Sequence, residues 1–276
     1  MTEEPNDPTP GAATYVFCVV QATRAPSLQG APPSLPGAGP IRLLAIDRGL
    51  STPTRLPRWG PRLWAVVCDA PLSHFSSDRI EGHLQDLEQI SKFALAHASA
   101  IEFFFRRAPV VPLKLFTLFS SDERAVSDLR RRRDKLKRLL KQVQGREEWG
   151  VRVTIAPAPP ASRAGSSVAS GREYLETKKH QRDRKRTVPR EASKTASSLF
   201  HALGKLASSV SRQAFPPAPK GRPLVAGASF LVPVGRRAAW RKRVAQASAA
   251  LTKSGSQLDL TGPWPPYHFV TETRRR

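Results

Sequence analysis

Proline and glycine clusters cut this chain into short apolar runs, and each run is too short for anything but a strand or a modest helix. The breaks lie at "APSLQGAPPSLPGAGP" (25–40), at Pro109 and Pro112, in the Pro/Ala/Ser/Gly stretch 157–170 and at "FPPAPKGRP" (215–223). Proline has no amide to donate and restrains the residue before it, so regular structure stops at each cluster. Between the breaks, "TYVFCVVQA" (14–22), "IRLLAID" (41–47) and "LWAVVCDA" (63–70) are rich in β-branched and aromatic residues and read as strands. From Ser77 to Phe105, Ile80, Leu84, Leu87, Ile90, Leu95 and Ile101 recur at mostly three- or four-residue steps, which predicts an amphipathic helix, or two broken ones, covering that sheet.

The second half repeats the mixture. "PLKLFTLF" (112–119) is a strand candidate. Ser120 and Glu123 have capping-box spacing for a helix running to Val143, with Gly145 suited to the position after its end. "EEWGVRVTIA" (147–156) reads as a strand, polar helices follow at 171–186 and 190–213, and "LVAGASFLVPV" (224–234), a helix over 237–252 and "SQLDLTG" (256–262) complete the order. The expected class is α+β: a disordered start (1–13), an N-terminal α+β domain (14–108), a ferredoxin-like βαββαβ domain (109–262) with a helical extension about 157–222, and a tail (263–276). That architecture hosts many unrelated tasks, so it names no function.

The 45 Lys and Arg against 22 Asp and Glu give a net charge of +23, which nominates polyanions and acidic proteins as partners. One basic cluster lies at 130–141. The other, Lys178, Lys179, Arg182, Arg184, Lys185 and Arg186, is the strongest phosphate-contact candidate, although no aromatic residue interleaves it to stack bases. Nucleic acid is therefore the alternative partner rather than the favoured one. No G-x-S-x-G elbow, phosphate-cradling loop or His pair at ligand spacing occurs, so no catalytic residue, cofactor or metal is expected. Cys18 and Cys68 sit inside apolar runs and read as small buried hydrophobes. The start, "MTEEPNDPTP", lacks the chemistry of a secretory leader. The longest apolar stretch, 93–105, carries His97 and Glu102 and falls short of a membrane span, so a cytoplasmic protein without a membrane partner is expected.

Taken together, "YVFCVV", "FALAHASAI", "PLKLFTLFSSDE", "REEWGVRV", "GREYLETKK", "HALGKLA", "ASFLVPV" and "LTGPWPPYHF" resemble the gas vesicle protein L/F family (GvpL/GvpF), in order and over roughly residues 14–270. The resemblance implies an accessory or minor structural protein of gas vesicles, the hollow protein-shelled organelles of buoyancy. It implies action in shell assembly beside the major shell protein and other accessory proteins, a gas vesicle location, and no catalytic residue. It also implies a role for His97, for Pro112 and Leu113, for Thr117, for Glu148, Trp149 and Gly150, and for the closing run Gly262, Pro263, Trp264, Pro265, Pro266 and Tyr267. One departure stands out: Phe116 occupies a position where the family usually has glycine, and Leu115 replaces the aromatic residue before it, which implies local repacking and questions any function needing a close backbone approach there.

The tail has its own physical reading. Pro263, Pro265 and Pro266 hold it extended, which lowers the entropy lost when aromatics such as Trp264, Tyr267 and Phe269 dock. The expectation is that it lies in a groove between the two domains and locks them together.

Overall fold

The computed structural model describes residues 11–47, 61–156, 171–212 and 222–270; the side chains of 171–177 and 180–186 lie outside that description. Contacts divide the chain into two units, Met1–Gly145 with Pro265–Arg276, and Arg146–Trp264.

The first unit runs β1 (Ala12–Ala22), β2 (Arg42–Ala45), β3 (Arg62–Pro71), α1 (Leu72–Phe75), α2 (Ser77–Gln85), α3 (Leu87–Phe105), β4 (Val110–Pro112), β5 (Leu118–Phe119), α4 (Asp122–Arg131) and α5 (Arg133–Val143). Its sheet has the order β2-β3-β1-β4, with β5 also on β1, and every pair is antiparallel. β1 is buried on both faces. Ala13, Tyr15 and Phe17 point to one side; the register then shifts between Val16 and Cys18, so Cys18 and Val20 continue on that same side while Val16 and Val19 take the other. Phe93, Ala100, Ile101 and Phe104 of α3 cover the first face. Ala125 and Leu129 of α4 with Leu136, Leu140 and Val143 of α5 cover the second.

Two sequence expectations change here. A module boundary was placed at residue 109, yet Val110–Pro112 pairs with Cys18–Val20, and Leu118 and Phe119 pair with Tyr15 and Thr14. The 112–119 segment and the helices after it therefore belong with the first unit, and the first βα step of the expected βαββαβ assignment falls outside the second. The leucines of the expected stripe also face outward: Leu84, Leu87 and Leu95 are 56%, 80% and 69% exposed, whereas its Ile101 is buried on the inner face of α3 with Phe93, His97, Ala100 and Phe104. Smaller shifts follow the local chemistry. Ser121, not Ser120, caps α4, its Oγ accepting from the Arg124 N–H at 3.3 Å. Gly145 takes the left-handed conformation that a residue after a helix end requires, at φ 65°. β1 starts at Ala12, just inside the stretch expected to be disordered, whose first ten residues lie outside the described ones.

The second unit runs β6 (Arg146–Ile155), α6 (Gly171–Leu206), β7 (Ser209–Ser211), β8 (Leu224–Pro233), a 3₁₀ turn (Val234–Arg236), α7 (Arg237–Lys253) and β9 (Ser256–Trp264). The sheet order is β7-β8-β6-β9, again all antiparallel. Ala196, Leu199, Phe200 and Leu203 of α6 pack with Trp240, Val244 and Leu251 of α7 onto Trp149, Val151, Val153, Ala228, Phe230 and Val232. α6 is thus one helix that runs through Pro189, and its C-terminal half is core rather than an added extension. β7, which the polar pattern hid inside an expected helix, closes the sheet edge.

The sheet of the first unit is tied to α4 by charge. Arg42 on β2 donates to both carboxylate oxygens of Asp122 at 2.5 and 2.8 Å and to Asp69 on β3 at 2.5 Å, and the Thr14 hydroxyl donates to Asp122 at 2.7 Å. Removing the cation leaves a mostly buried carboxylate with a single hydroxyl for company. Arg42→Ala should therefore destabilise the protein by about 2–3 kcal/mol in urea unfolding near neutral pH. A loss below about 0.5 kcal/mol would put this network in the class of screened surface pairs.

Candidate functional site

The residues singled out from the sequence gather in two places, one in each unit. In the first unit, the loop between β4 and β5 folds back over β1 and α3. Its backbone is held by a buried polar relay. The Tyr15 hydroxyl donates to His97 Nδ1 (2.7 Å), His97 Nε2 donates to the Leu113 carbonyl (3.2 Å), and the Phe116 N–H donates to the Tyr15 oxygen (3.2 Å). Each donor meets one acceptor only if the imidazole is neutral with its proton on Nε2. Burial enforces that state, pushing His97 down to about 4 from its ordinary 6.5 against a smaller opposing effect of the Leu113 carbonyl. Burial likewise pushes the Tyr15 phenol up, so it stays a donor. The imidazole also stacks on Phe17, with ring centroids 5.7 Å apart.

Within this loop Phe116 has φ 59°, the left-handed region in which an L side chain costs about 1 kcal/mol and glycine nearly nothing. The position where the resemblance places glycine therefore carries a glycine conformation. Phe116 offsets the strain with its N–H bond to Tyr15 and an edge-on contact to Phe93, centroids 5.5 Å apart. The turn at this residue lies between β4 and β5, which replace the single strand expected over 112–119.

Beside the relay lies an open apolar cleft of about 510 Å³. Val111, Pro112, Leu113, Leu115, Leu136, Leu139, Tyr267 and Val270 line it with His97 and Thr117, and Lys114, Arg132 and Lys135 stand around it. Four of the motif residues are here, and so is the tail: α8 (Tyr267–Val270) packs against β4, with Val270 buried in the α4–α5 side of the core. Thr117 serves the loop itself, its hydroxyl donating to the Lys114 carbonyl at 2.6 Å. Phe269 is half-buried, and Pro265 and Pro266 are buried.

The other motif residues meet in the second unit. Glu148 pairs with Trp264 and Gly150 with Thr261, so Trp149 sits opposite Gly262 and Pro263 at a register shift between β6 and β9. Gly262 has φ 115°, and a Cβ there would lie 2.8 Å from the Glu148 carbonyl oxygen and 3.3 Å from Trp149 Cα. The Trp149 ring packs against Trp240 at 5.8 Å, and Trp149 and Glu148 are both buried. Trp264, by contrast, is 45% exposed at the end of β9, so the tail is anchored by Pro265, Pro266, Tyr267 and Val270 rather than by this indole.

The basic candidates divide. Arg130 donates to the Ile46 carbonyl, Arg131 and Arg132 pair with Asp128, and Arg133 pairs with Asp47, so much of the 130–141 cluster is spent inside the unit. Lys178 and Lys179 lie exposed on α6; the side chains of Arg182, Arg184, Lys185 and Arg186 fall outside the described residues. Among the described residues no group of three His, Cys, Asp or Glu could hold a metal ion, and no helix is long and apolar enough to cross a membrane. Cys18 and Cys68 are free thiols in the core, and burial pushes Cys68 up to about 11.

Two α+β units, each with its own antiparallel sheet and the first with an open apolar cleft, define the class of the fold, and the comparisons give it a family. The chain belongs to the GvpL/GvpF family: the model of "Gas vesicle synthesis protein GvpL/GvpF" matches residues 13–271. It is thereby a gas vesicle protein, of a family that is not a known enzyme family. It is 30% identical over 232 residues to gas vesicle protein L of Streptomyces sp. (strain CB03234), covering 79% of this chain and 83% of the relative. The crystal structure of GvpF from Anabaena sp. PCC7120 has the same fold, with a TM-score of 0.63 at 13% identity over 95% of this chain and 100% of that one. GvpF from Microcystis aeruginosa matches with a TM-score of 0.57 at 12% identity over 94% of this chain and 99% of that one.

Two outcomes test these sites. The neutral His97 favours folding fully above pH 6.5, and stability is lost as pH falls toward about 4, because the unfolded chain binds a proton there that the folded one refuses. The loss is on the order of 3 kcal/mol, and a His97→Gln variant should lack that part of the slope in unfolding measured across this window; parallel curves for the two proteins would refute the assignment. Gly262→Ala should cost about 2 kcal/mol or more, from the clash with the Glu148 carbonyl together with the left-handed φ, and an unchanged melting temperature would show that β9 moves aside freely.

Proposed function

We propose that this protein acts in gas vesicle assembly by holding apolar segments of the major shell protein, and of other accessory proteins, in the cleft between the β4–β5 loop, α5 and α8. The observation that carries the reading is the cleft itself. It is an open apolar trough, framed by the resemblance's own motif residues His97, Pro112, Leu113, Thr117 and Tyr267, with cations at its rim and no carboxylate in its lining among the described residues. Such a site gains from desolvating aliphatic side chains and orients them by charge, which suits transient capture of an aggregation-prone subunit. Under this reading the His97 relay is a positioning device that fixes the loop forming one wall. The second unit, with its strand–helix–strand–strand–helix–strand order, is read as ferredoxin-like and as a further contact surface.

The nucleic-acid reading keeps one observation, the exposed Lys178 and Lys179 on α6. Co-expression of the tagged protein with the major shell protein, followed by co-purification at low and at about half-molar salt with nuclease present, separates the two, because phosphate contacts fail steeply with ionic strength and apolar capture does not. Retention through both treatments is expected, together with a severalfold loss of the shell protein on Leu139→Asp, which places a charge in the cleft. Release by salt or nuclease, with nucleic acid in the low-salt eluate, would replace the assembly reading with the polyanion one.

A further inference from the structure

We infer that the outward leucine face of α2–α3 is one half of a self-interface, and that its other half is the cationic apolar cleft of a second copy of this chain. Leu84 at the end of α2 and Leu87 and Leu95 on α3 stand 56%, 80% and 69% exposed, although α3 sends Phe93, Ile101 and Phe104 into the core. Leu87 and Leu95 are eight residues apart, so at about 3.6 residues per turn they fall on one face of α3, with exposed Ser91 and Ala94 between them. One exposed leucine is ordinary. Several on a single helical face mark a contact surface.

Charge decides which surface fits. Along residues 77–95, which carry these leucines, Asp78, Glu81, Asp86 and Glu88 outnumber Arg79 and Lys92, with Glu88 and Lys92 paired to each other, in a chain whose net charge is +23. A net acidic apolar face repels its own image across a two-fold axis and is complementary to a cationic apolar receptor. The same chain presents one. The cleft has Leu115, Leu136 and Leu139 in its wall, Lys114 and Lys135 at its rim, no carboxylate in its lining among the described residues, and a volume of about 510 Å³, in the range that buries a small ligand and so takes several aliphatic side chains. The leucines lie on the outer side of α3, whereas the cleft opens beside the β4–β5 loop and α5. The donating and receiving surfaces are therefore different, and the contact is head-to-tail, so each bound copy still offers an unused face.

A second copy seated in the cleft excludes any other apolar segment from it, so self-association would hold the protein with its receiving site covered until a stronger occupant displaces the neighbour. This rests on the cleft being a receptor for apolar segments, and not on the shell protein being its occupant.

Sedimentation velocity on the purified full chain tests it. The wild-type mass should rise over a roughly hundredfold range of concentration, as mass action requires. The double variants Leu87→Arg with Leu95→Arg, and Lys114→Glu with Lys135→Glu, should each stay monomeric while keeping the wild-type melting temperature. Mixed in equal amounts they should give a dimer and nothing larger, because the pair retains one intact cleft and one intact leucine face. A wild-type protein that stays monomeric throughout, assembly by either folded variant alone, or a mixture that fails to combine would each overturn the inference. Co-purification with the shell protein is a separate readout: retention there without self-association sinks only the self-interface, and self-association without retention sinks only the shell reading.

Discussion

The first unit depends on a strand that has no exposed side. From Thr14 to Val20, β1 is completely buried, so every polar atom on it must find a partner within the protein. Two side-chain hydroxyls are present, on adjacent residues that point to opposite faces. Thr14 gives its proton to Asp122 and so fixes α4; Tyr15 gives its proton to His97 and so fixes α3, while its oxygen fixes the β4–β5 loop. The two layers flanking the sheet are thus each pinned to the central strand by one hydrogen bond of definite geometry, and the hydrophobic contacts fill in around these pins. Burial gives the layers their attraction; the hydroxyls give them their registration.

Much of this was legible in the sequence because it is local. Strands rich in β-branched and aromatic residues, and helices with capping and stop signals, announce themselves within a dozen residues, and the principal strands stand where the pattern put them. Pairing is different. β4 and β5 are three and two residues long, and they exist because β1 offers an edge about a hundred residues earlier, which no local period records. The same reason hides the inner face of α3: a helical repeat says that one face is apolar, but here two are, and the larger aromatic side chains won the core from the leucines. Of the candidate site, the motif residues were visible and their meeting was not. His97 meets Leu113 and Tyr267 around one cleft, and Trp149 meets Gly262 across two strands, through contacts that span most of the chain.

The charge of the chain also looks different once the side chains are placed. A run such as Arg130 to Arg133 reads as a polyanion surface in one dimension, yet Arg130 and Arg133 reach Ile46 and Asp47 beside the sheet, while Arg131 and Arg132 pair locally with Asp128. Lys114 and Lys135 stand elsewhere, beside an apolar hollow. Where a positive charge lies relative to apolar surface says more about a partner than the total of +23 does.

The placement of α8 has a consequence for synthesis. Tyr267 and Val270, which follow the second unit in the chain, pack on the two sides of a core that includes Ala13 and Val16. A ribosome therefore releases the whole β6–β9 unit before the first one can close, and until then β4 and the wall of the cleft stand uncovered. The second unit can fold first, although it comes later in the sequence. The apolar hollow thus takes its last wall from a segment that the ribosome makes after the whole second unit, far along the chain from the residues that form its other walls.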